Sequence, residues 1–227
     1  MHHWSTYSTI DAAAKAAADF LAEHIALSIE ARGFCHFIVP GGNTPAGCFS
    51  ALAEKSLPWD KLHCYPSDER CYAIGHAERN DVMIKEHLLT RIASAHFHSM
   101  PAEQGAEQAA TAYCKIIQDI TAFDIAFLGM GEDGHTASLF PGNAALQETA
   151  SVVAVHDAPK PPAERVSMGL NTLRRARLRV VLAAGASKAM IMARIRAGDG
   201  LPVNSIGDIH WFVDEACMAK DEPAGQG

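Results

Sequence analysis

The sequence alternates between short apolar runs and longer amphipathic runs over most of its 227 residues, and this alternation constrains the fold more than any other feature. The apolar runs are nearly continuous, as is typical of strands buried on both faces of a parallel sheet. Most of them are followed by a loop and then by a run with helical periodicity. Strands that alternate with helices in this way predict an α/β fold, with a single doubly wound, mainly parallel sheet flanked by helices.

The predicted elements succeed one another without a break in composition. Strands are expected at residues 34–39, 62–65, 123–128, 179–183 and 211–213, with weaker candidates at 96–99, 152–155 and 166–168. Helices are expected at 10–32, 80–89, 103–120 and 187–197, with a short last helix that reaches residue 220. A further helix follows residue 43, with Thr44 as its N-cap and Pro45 as its first residue. Because no repeat or linker interrupts the pattern, we expect one Rossmann-like domain over residues 1–227.

Composition excludes several classes of partner. The net charge is −7, from 26 acidic and 19 basic side chains, so we expect no binding to nucleic acid. No apolar run approaches the ~18 residues of a membrane span, so no membrane partner is expected. The six cysteines are scattered without a C-x-x-C pair, and residues 1–5 lack the pattern of a signal peptide. Both features predict a cytoplasmic protein. We expect the chain to be either a monomer or a homodimer.

The loop after the first predicted strand is suited to binding an anion. It reads Pro-Gly-Gly-Asn-Thr-Pro at residues 40–45, directly before a helix. Gly41 and Gly42 let the backbone approach a ligand closely, Thr44 adds a hydroxyl, and the helix offers unpaired amides and the positive end of its dipole. The pattern matches neither the dinucleotide-binding glycine motif nor the P-loop. An ordinary strand-to-helix turn also uses glycine in this way, so that alternative stays open.

Other segments carry cations that an anion site would need. Arg70 ends the sequence Ser-Asp-Glu-Arg after the second strand, and its planar fork of donors suits an anion. In the same segment Asp68 could orient a sugar hydroxyl or accept a proton. Lys188 near the start of a helix opposes the helix dipole, a conflict that a bound anion would remove. Arg165, at the start of a weak strand, is a further candidate. Each of these side chains is equally compatible with a solvated surface.

The loop after the strand at 123–128 carries the clearest chemistry. It reads Gly-Met-Gly-Glu-Asp-Gly-His-Thr-Ala-Ser at residues 129–138, and stability alone does not explain such a composition at a strand exit. Imidazole titrates near neutral pH, so neutral His135 can take a proton from water and return it to a leaving oxygen. A solvent-exposed loop histidine is the alternative. Since His96 and His98 lack a cysteine or aspartate cluster beside them, no metal site is predicted.

Together these segments resemble the 6-phosphogluconolactonase family, which shares a superfamily with the glucosamine-6-phosphate deaminases. The matching segments, in the family's order, are PGGNTP at 40–45, SDER at 67–70, RN at 79–80, FDIAFLGMGEDGHTASLFP at 123–141, RVS at 165–167, GASK at 185–188 and WFVD at 211–214. The resemblance implies hydrolysis of the phosphorylated sugar lactone 6-phosphogluconolactone, the second step of the oxidative pentose phosphate pathway. It implies no metal and no cofactor.

The resemblance also implies roles for individual residues. His135 is expected to be the general base, with Asp68 beside the sugar ring and Arg70 also at the reacting centre. The 6-phosphate is expected to be held by Gly41, Gly42, Asn43, Thr44, Arg70, Arg165 and Lys188. Either Arg70 or the amides of residues 131–134 would meet the oxyanion. The roles of Asp133 and Asn80 stay open.

Two other functions are alternatives to lactone hydrolysis. Deaminases of the superfamily resemble Gly-His-Ile-Ala-Phe-Asn-Glu-Pro in this loop, with a glutamate five positions after the histidine that helps to open the sugar ring. Here that position is Phe140, which cannot transfer a proton, and Arg70 stands where the deaminases usually carry tyrosine. A sugar-phosphate-binding regulator without catalysis is the other alternative, against which the intact His135 loop argues.

Overall fold

The computed structural model describes residues 2–218, which form two β-sheets and their flanking helices. The strands are β1 (His2–Tyr7), β2 (Cys35–Val39), β3 (Leu62–Pro66), β4 (Asp68–Arg70), β5 (His96–Phe97), β6 (Ile125–Leu128), β7 (Val152–Val155), β8 (Arg165–Met168), β9 (Leu178–Ala183) and β10 (Ile209–Asp214). The α-helices are α1 (Ile10–Arg32), α2 (Thr44–Ala53), α3 (Asn80–Ile84), α4 (Ala106–Ile116), α5 (Leu170–Arg175), α6 (Ala189–Arg196) and α7 (Glu215–Met218).

The larger sheet has seven parallel strands in the order β1-β10-β9-β6-β2-β3-β5. The chain runs outward from β2 to β3 and β5, then returns to β6 on the other side of β2 and continues to β9 and β10. The winding direction therefore reverses between β2 and β6. Loops that leave two such strands diverge and open a crevice at their carboxyl ends. The prediction of a doubly wound, mainly parallel sheet is confirmed, and both glycine-rich loops flank this crevice.

The large sheet is buried on both faces, which explains why its strands read as continuous apolar runs. Side chains alternate along each strand, so Phe37 and Val39 pack with α1 and α2 on one face. Ile38, between them, packs with Tyr65 and with Tyr113 of α4 on the other face. Each face thus has its own apolar core, and the strand ends and their loops are held at fixed positions between the two.

A second, antiparallel sheet has the order β4-β8-β7. The sequence predicted residues 66–79 as a polar loop, whereas the structure places β4 inside this range. Asp-Glu-Arg has no apolar pattern that would indicate a strand. Pairing of β4 with β8 makes Arg70 and Arg165 direct partners across the ladder. The small sheet therefore brings together two of the predicted cations.

The structure differs from the sequence prediction at several element ends. Asn43 is the N-cap of α2 and Thr44 its first residue, so the predicted cap lies one residue too late. Strand β1 was not predicted, because it is an edge strand with a polar sequence. Its Trp4 stacks on Trp211 of β10, with the ring centroids 4.8 Å apart. The main helix predicted at 103–120 covers only Ala106–Ile116. The last helix is described as far as Met218, and residues 219–220 lie outside the described part of the chain.

A row of histidines lies across β2, β3 and β5, and it should make the fold sensitive to acid. His36, His63 and His96 are register partners, and Nδ1 of His63 lies 3.1 Å from Nε2 of His98. Burial and the neighbouring histidines lower the pKa of His63 to about 4 from 6.5. A histidine with a lowered pKa in the folded state stabilises the fold fully above its unfolded pKa. This stability is lost as pH falls from about 6.5 to about 4.

We expect His63→Gln to remove part of this acid sensitivity. Glutamine does not titrate, so the fall in Tm between pH 6.5 and 4 should shrink by about 2–4 °C, which corresponds to roughly 1 kcal/mol in a chain of this size. Thermal unfolding followed by circular dichroism measures the effect. His87→Gln, outside the histidine row, is the control and should keep the wild-type pH dependence. An identical pH dependence in both variants would contradict the prediction.

Candidate active site

The two glycine-rich loops and the cation-bearing segments meet at one cavity in the crevice, with a volume of about 180 Å³. All the predicted site residues line it: Gly41, Gly42, Asn43, Thr44, Asp68, Arg70, His135, Arg165 and Lys188. They come from distant parts of the sequence and are assembled by the carboxyl ends of the strands. A larger concavity of about 880 Å³, between α4 and β7, contains none of them.

His135 is paired with a carboxylate. Its Nδ1 lies 2.5 Å from Oδ1 of Asp133, and its backbone amide donates to the same oxygen at 3.1 Å. Burial alone would raise the pKa of Asp133, but the hydrogen bond and charge of His135 outweigh it and hold the pKa below its ordinary value. In a neutral imidazole, an ionised carboxylate at Nδ1 selects the tautomer with its proton there and leaves the Nε2 lone pair free. This is the tautomer that a general base requires.

The absence of a side chain at Gly131 leaves the space in which the imidazole of His135 lies. A Cβ at this position would overlap the Cε1 and Nδ1 atoms of His135. The backbone turns tightly here, because the Gly131 amide donates to the carbonyl of His135 at 2.9 Å and the Gly134 amide donates to the carbonyl of Gly131 at 3.1 Å. The histidine ring thus lies directly against a backbone that only glycine allows.

The loop of residues 41–44, which we call the anion cradle, contains a second glycine whose backbone lies against a side chain. A Cβ at Gly41 would overlap the side-chain amide of Asn80, whose Nδ2 donates to the carbonyl of Asp68 at 2.8 Å. Asn80 lines the cavity as well. Helix α2 begins at Thr44, so the positive end of its dipole lies at the cradle. The cradle therefore offers backbone and dipole to an anion without a charged side chain of its own.

Arg70 is held at one edge and unsatisfied at another. Its Nη1 donates to the carbonyl and the carboxylate of Glu78, at 2.8 and 3.0 Å. Its buried Nε has no hydrogen-bond partner within residues 2–218. A buried donor without a partner costs about 1–3 kcal/mol. Arg70 also lines the cavity, and an unpaired guanidinium donor there favours a bound anion.

Of the other two cations, Arg165 is buried and Lys188 is half-buried. Nε of Arg165 donates to the carbonyl of Pro162, and Nη2 donates to those of Lys160 and Pro161. Burial lowers the pKa of Lys188, an effect that Cys217 and nearby carboxylates only partly oppose. A positive charge that has lost hydration gains more from an anion than a solvated one does. Both residues are thus suited to hold a phosphate.

Asp68 lies in the cavity wall with both carboxylate oxygens engaged. Oδ1 accepts from the hydroxyl of Ser67 at 2.8 Å, and Oδ2 accepts from that of Ser138 at 2.6 Å. Ser138 belongs to the His135 loop, so Asp68 fastens this loop to β4. These contacts favour an orienting role over proton transfer.

Glu69 is a residue that sequence analysis did not single out. It is fully buried, and its carboxylate accepts the backbone amides of Arg70, Asn80 and Asp81, each at 2.8 Å. These bonds fasten the first turn of α3 to β4 and so fix two residues of the cavity wall. The Ser-Asp-Glu-Arg segment contains Glu69, but nothing in its pattern indicates that the glutamate faces inward.

A doubly wound fold with an anion cradle beside a paired histidine defines an enzyme of small anionic metabolites. The chain belongs to the family of glucosamine-6-phosphate isomerases and 6-phosphogluconolactonase, whose model matches residues 8–213.

Several curated relatives of this chain are 6-phosphogluconolactonases. The chain is 34% identical to 6-phosphogluconolactonase of Synechocystis over 209 residues, which cover 84% of this chain and 86% of the relative. It is 37% identical to human 6-phosphogluconolactonase over 194 residues, which cover 78% of this chain and 72% of the relative. The crystal structure of a 6-phosphogluconolactonase from Shewanella baltica superposes with a TM-score of 0.86 at 25% identity, covering 94% of this chain and 98% of that one.

Proposed function

We propose that this chain hydrolyses 6-phosphogluconolactone to 6-phosphogluconate, with His135 as the general base. One observation carries the proposal: the Asp133-paired imidazole and the cations Arg70, Arg165 and Lys188 lie at a single small cavity. A compact substrate with a phosphate at one end and a reactive carbonyl at the other suits such a cavity. The names of the relatives support the same reaction.

The reaction begins with the phosphate in the cradle at Gly41 and Gly42, which orients the lactone carbonyl toward His135. Binding energy from the remote phosphate is thereby used for positioning at the reacting centre. Nε2 of His135 takes a proton from water as the water oxygen attacks the carbonyl carbon. The tetrahedral intermediate then collapses, the bond from carbon to ring oxygen breaks, and the imidazolium returns the proton to that oxygen. The product is the open-chain acid.

Arg70 is the better of the two expected donors to the oxyanion. The amides of Gly131 and Gly134 already donate to backbone carbonyls of their own loop. The buried Nε of Arg70 has no such partner in the described chain, and the Arg70 side chain lines the cavity. A donor in place before the reaction stabilises the charge that develops on the carbonyl oxygen.

The deaminase alternative lacks a required group in the structure as well as in the sequence. Phe140, at the position of the deaminase glutamate, is buried and apolar. The regulator alternative does not account for a carboxylate held on Nδ1 of His135, since a binding module needs no oriented base.

Two assays test the proposal. Freshly prepared 6-phosphogluconolactone should release acid well above the spontaneous rate when the chain is added, as followed with a pH indicator. Glucosamine 6-phosphate should release no ammonia under the same conditions. Ammonia release would favour the deaminase, whereas binding of 6-phosphogluconate without turnover of the lactone would favour the regulator.

Lys188→Ala should chiefly weaken substrate binding. The phosphate loses one of its cations, so we expect KM for 6-phosphogluconolactone to rise by roughly 10-fold or more, while kcat changes little, because the charge is remote from the reacting carbon. Steady-state kinetics measure both constants. Lys188→Arg keeps the charge and serves as the control. An unchanged KM in the alanine variant would remove Lys188 from the phosphate site.

We also propose that the chain acts as one domain in the cytoplasm. All six cysteines are unpaired, and four of them are buried. Unpaired cysteines are typical of a reducing compartment. None of the helices described between residues 2 and 218 is long and apolar enough to cross a membrane.

A further inference from the structure

Phe140 contacts two functional groups of the cavity at once. It is 4% exposed, and its ring centroid lies 4.4 Å from that of His135, with the ring planes tilted by 47°. On Arg165, the central guanidinium carbon lies 5.5 Å from the Phe140 centroid. His135 belongs to the loop after β6, whereas Arg165 begins β8. One aromatic ring therefore bridges two cavity residues that belong to different sheets.

Polar contacts alone do not fix these two groups. Nδ1 of His135 is held by Asp133, but an imidazole bonded at one nitrogen can still turn about that bond. Nε and Nη2 of Arg165 bond to carbonyls of residues 160–162, which holds one edge of the guanidinium. A ring packed beside the imidazole and under the guanidinium restricts both motions. Its negative face also attracts the Arg165 cation.

We infer that Phe140 is a positioning residue that sets the separation between His135 and Arg165, an inference that rests on the proposed function. The lactone carbonyl and the phosphate are at fixed ends of one small molecule. The base and the phosphate-binding cation must therefore keep a matching separation for the carbonyl to meet the activated water. Asp133 holds His135 and the carbonyls of residues 160–162 hold Arg165, but these contacts do not link the two residues to each other. The shared contact with Phe140 does link them and keeps their separation constant.

Phe140→Leu tests the inference, because leucine is apolar but offers no ring face. With 6-phosphogluconolactone we expect kcat to fall about 10-fold through the loss of base orientation and KM to rise about 3–10-fold through the looser Arg165. With glucono-1,5-lactone, which has no phosphate, only the loss in kcat should remain. Phe140→Tyr keeps the ring and should restore both constants to within about threefold of wild type.

The controls separate this inference from the proposed function. Wild-type turnover of 6-phosphogluconolactone in the same assay tests the function, and the variants test Phe140. Circular dichroism and Tm confirm that each variant is folded. Phe140→Met, which is flexible and also lacks a ring, replaces leucine if that variant unfolds. Wild-type kcat and KM in the folded leucine or methionine variant, or an equal loss in the tyrosine variant, would overturn the inference.

Discussion

His135→Asn should lower kcat for 6-phosphogluconolactone by roughly 10²–10⁴-fold, the contribution of a positioned acid–base group. Asparagine is polar and smaller, but it has no basic nitrogen with which to take a proton from water. The cradle and cations remain, so KM should change by only a few-fold. A continuous assay with a pH indicator measures the initial rate of acid release, from which the rate of spontaneous hydrolysis is subtracted.

A matched control is available on the same protein. His156 borders the larger concavity, bonds to Glu107 at 2.9 Å and lies outside the proposed site. His156→Asn should therefore keep kcat within about twofold, as is usual for a surface change. If His135→Asn kept activity within tenfold of wild type, the general-base role would be rejected.

Gly131→Ala should lower kcat by about 10²-fold although it adds a single methyl group. The new Cβ would occupy the space of the His135 ring, so the imidazole must swing away from its position beside Asp133. A displacement of about 1 Å at a reacting group is sufficient for a loss of this size. The ring is the end of a side chain and can move, so we expect Tm to fall by only a few degrees. Kinetics and thermal unfolding of the same preparation separate the two effects.

The same loop offers the control. A Cβ at Gly129 would meet no heavy atom within 4 Å, and its backbone is not left-handed. Gly129→Ala should therefore have a much smaller effect on kcat than Gly131→Ala. Equal losses in the two variants would show that the loop requires glycine for backbone freedom and not for contact with the imidazole.

Much of the site was predictable because parallel strands place their following loops at one edge. Apolar runs before Pro40 and Gly129 identified two strands, and the doubly wound topology made their loops neighbours. Asp133 also stood close to His135 in the sequence, although its direction was unknown. What the sequence lacked was the distance between these side chains, which depends on the backbone turn at Gly131.

The parts that escaped prediction are held together by polar contacts across long sequence separations. Strand β4 has no apolar period, because Asp68 and Glu69 are buried against polar groups of other segments, the hydroxyl of Ser138 and the amide of Asn80. The sequence does not show where the side chain of Asn80 lies, because its partner is the carbonyl of Asp68, twelve residues away. In the sequence, Phe140 is informative only because it stands at the position of the deaminase glutamate. Its contacts with His135 and Arg165 exist only in three dimensions.

The pairing of Arg70 with Arg165 limits how this chain can change in length. Two guanidinium groups opposite one another in a ladder share a face only in one alignment, and a shift of one residue would turn one of them away. Insertions and deletions are therefore not tolerable within β4 or β8. Variation among homologous chains should follow this rule, with no gaps inside the two strands.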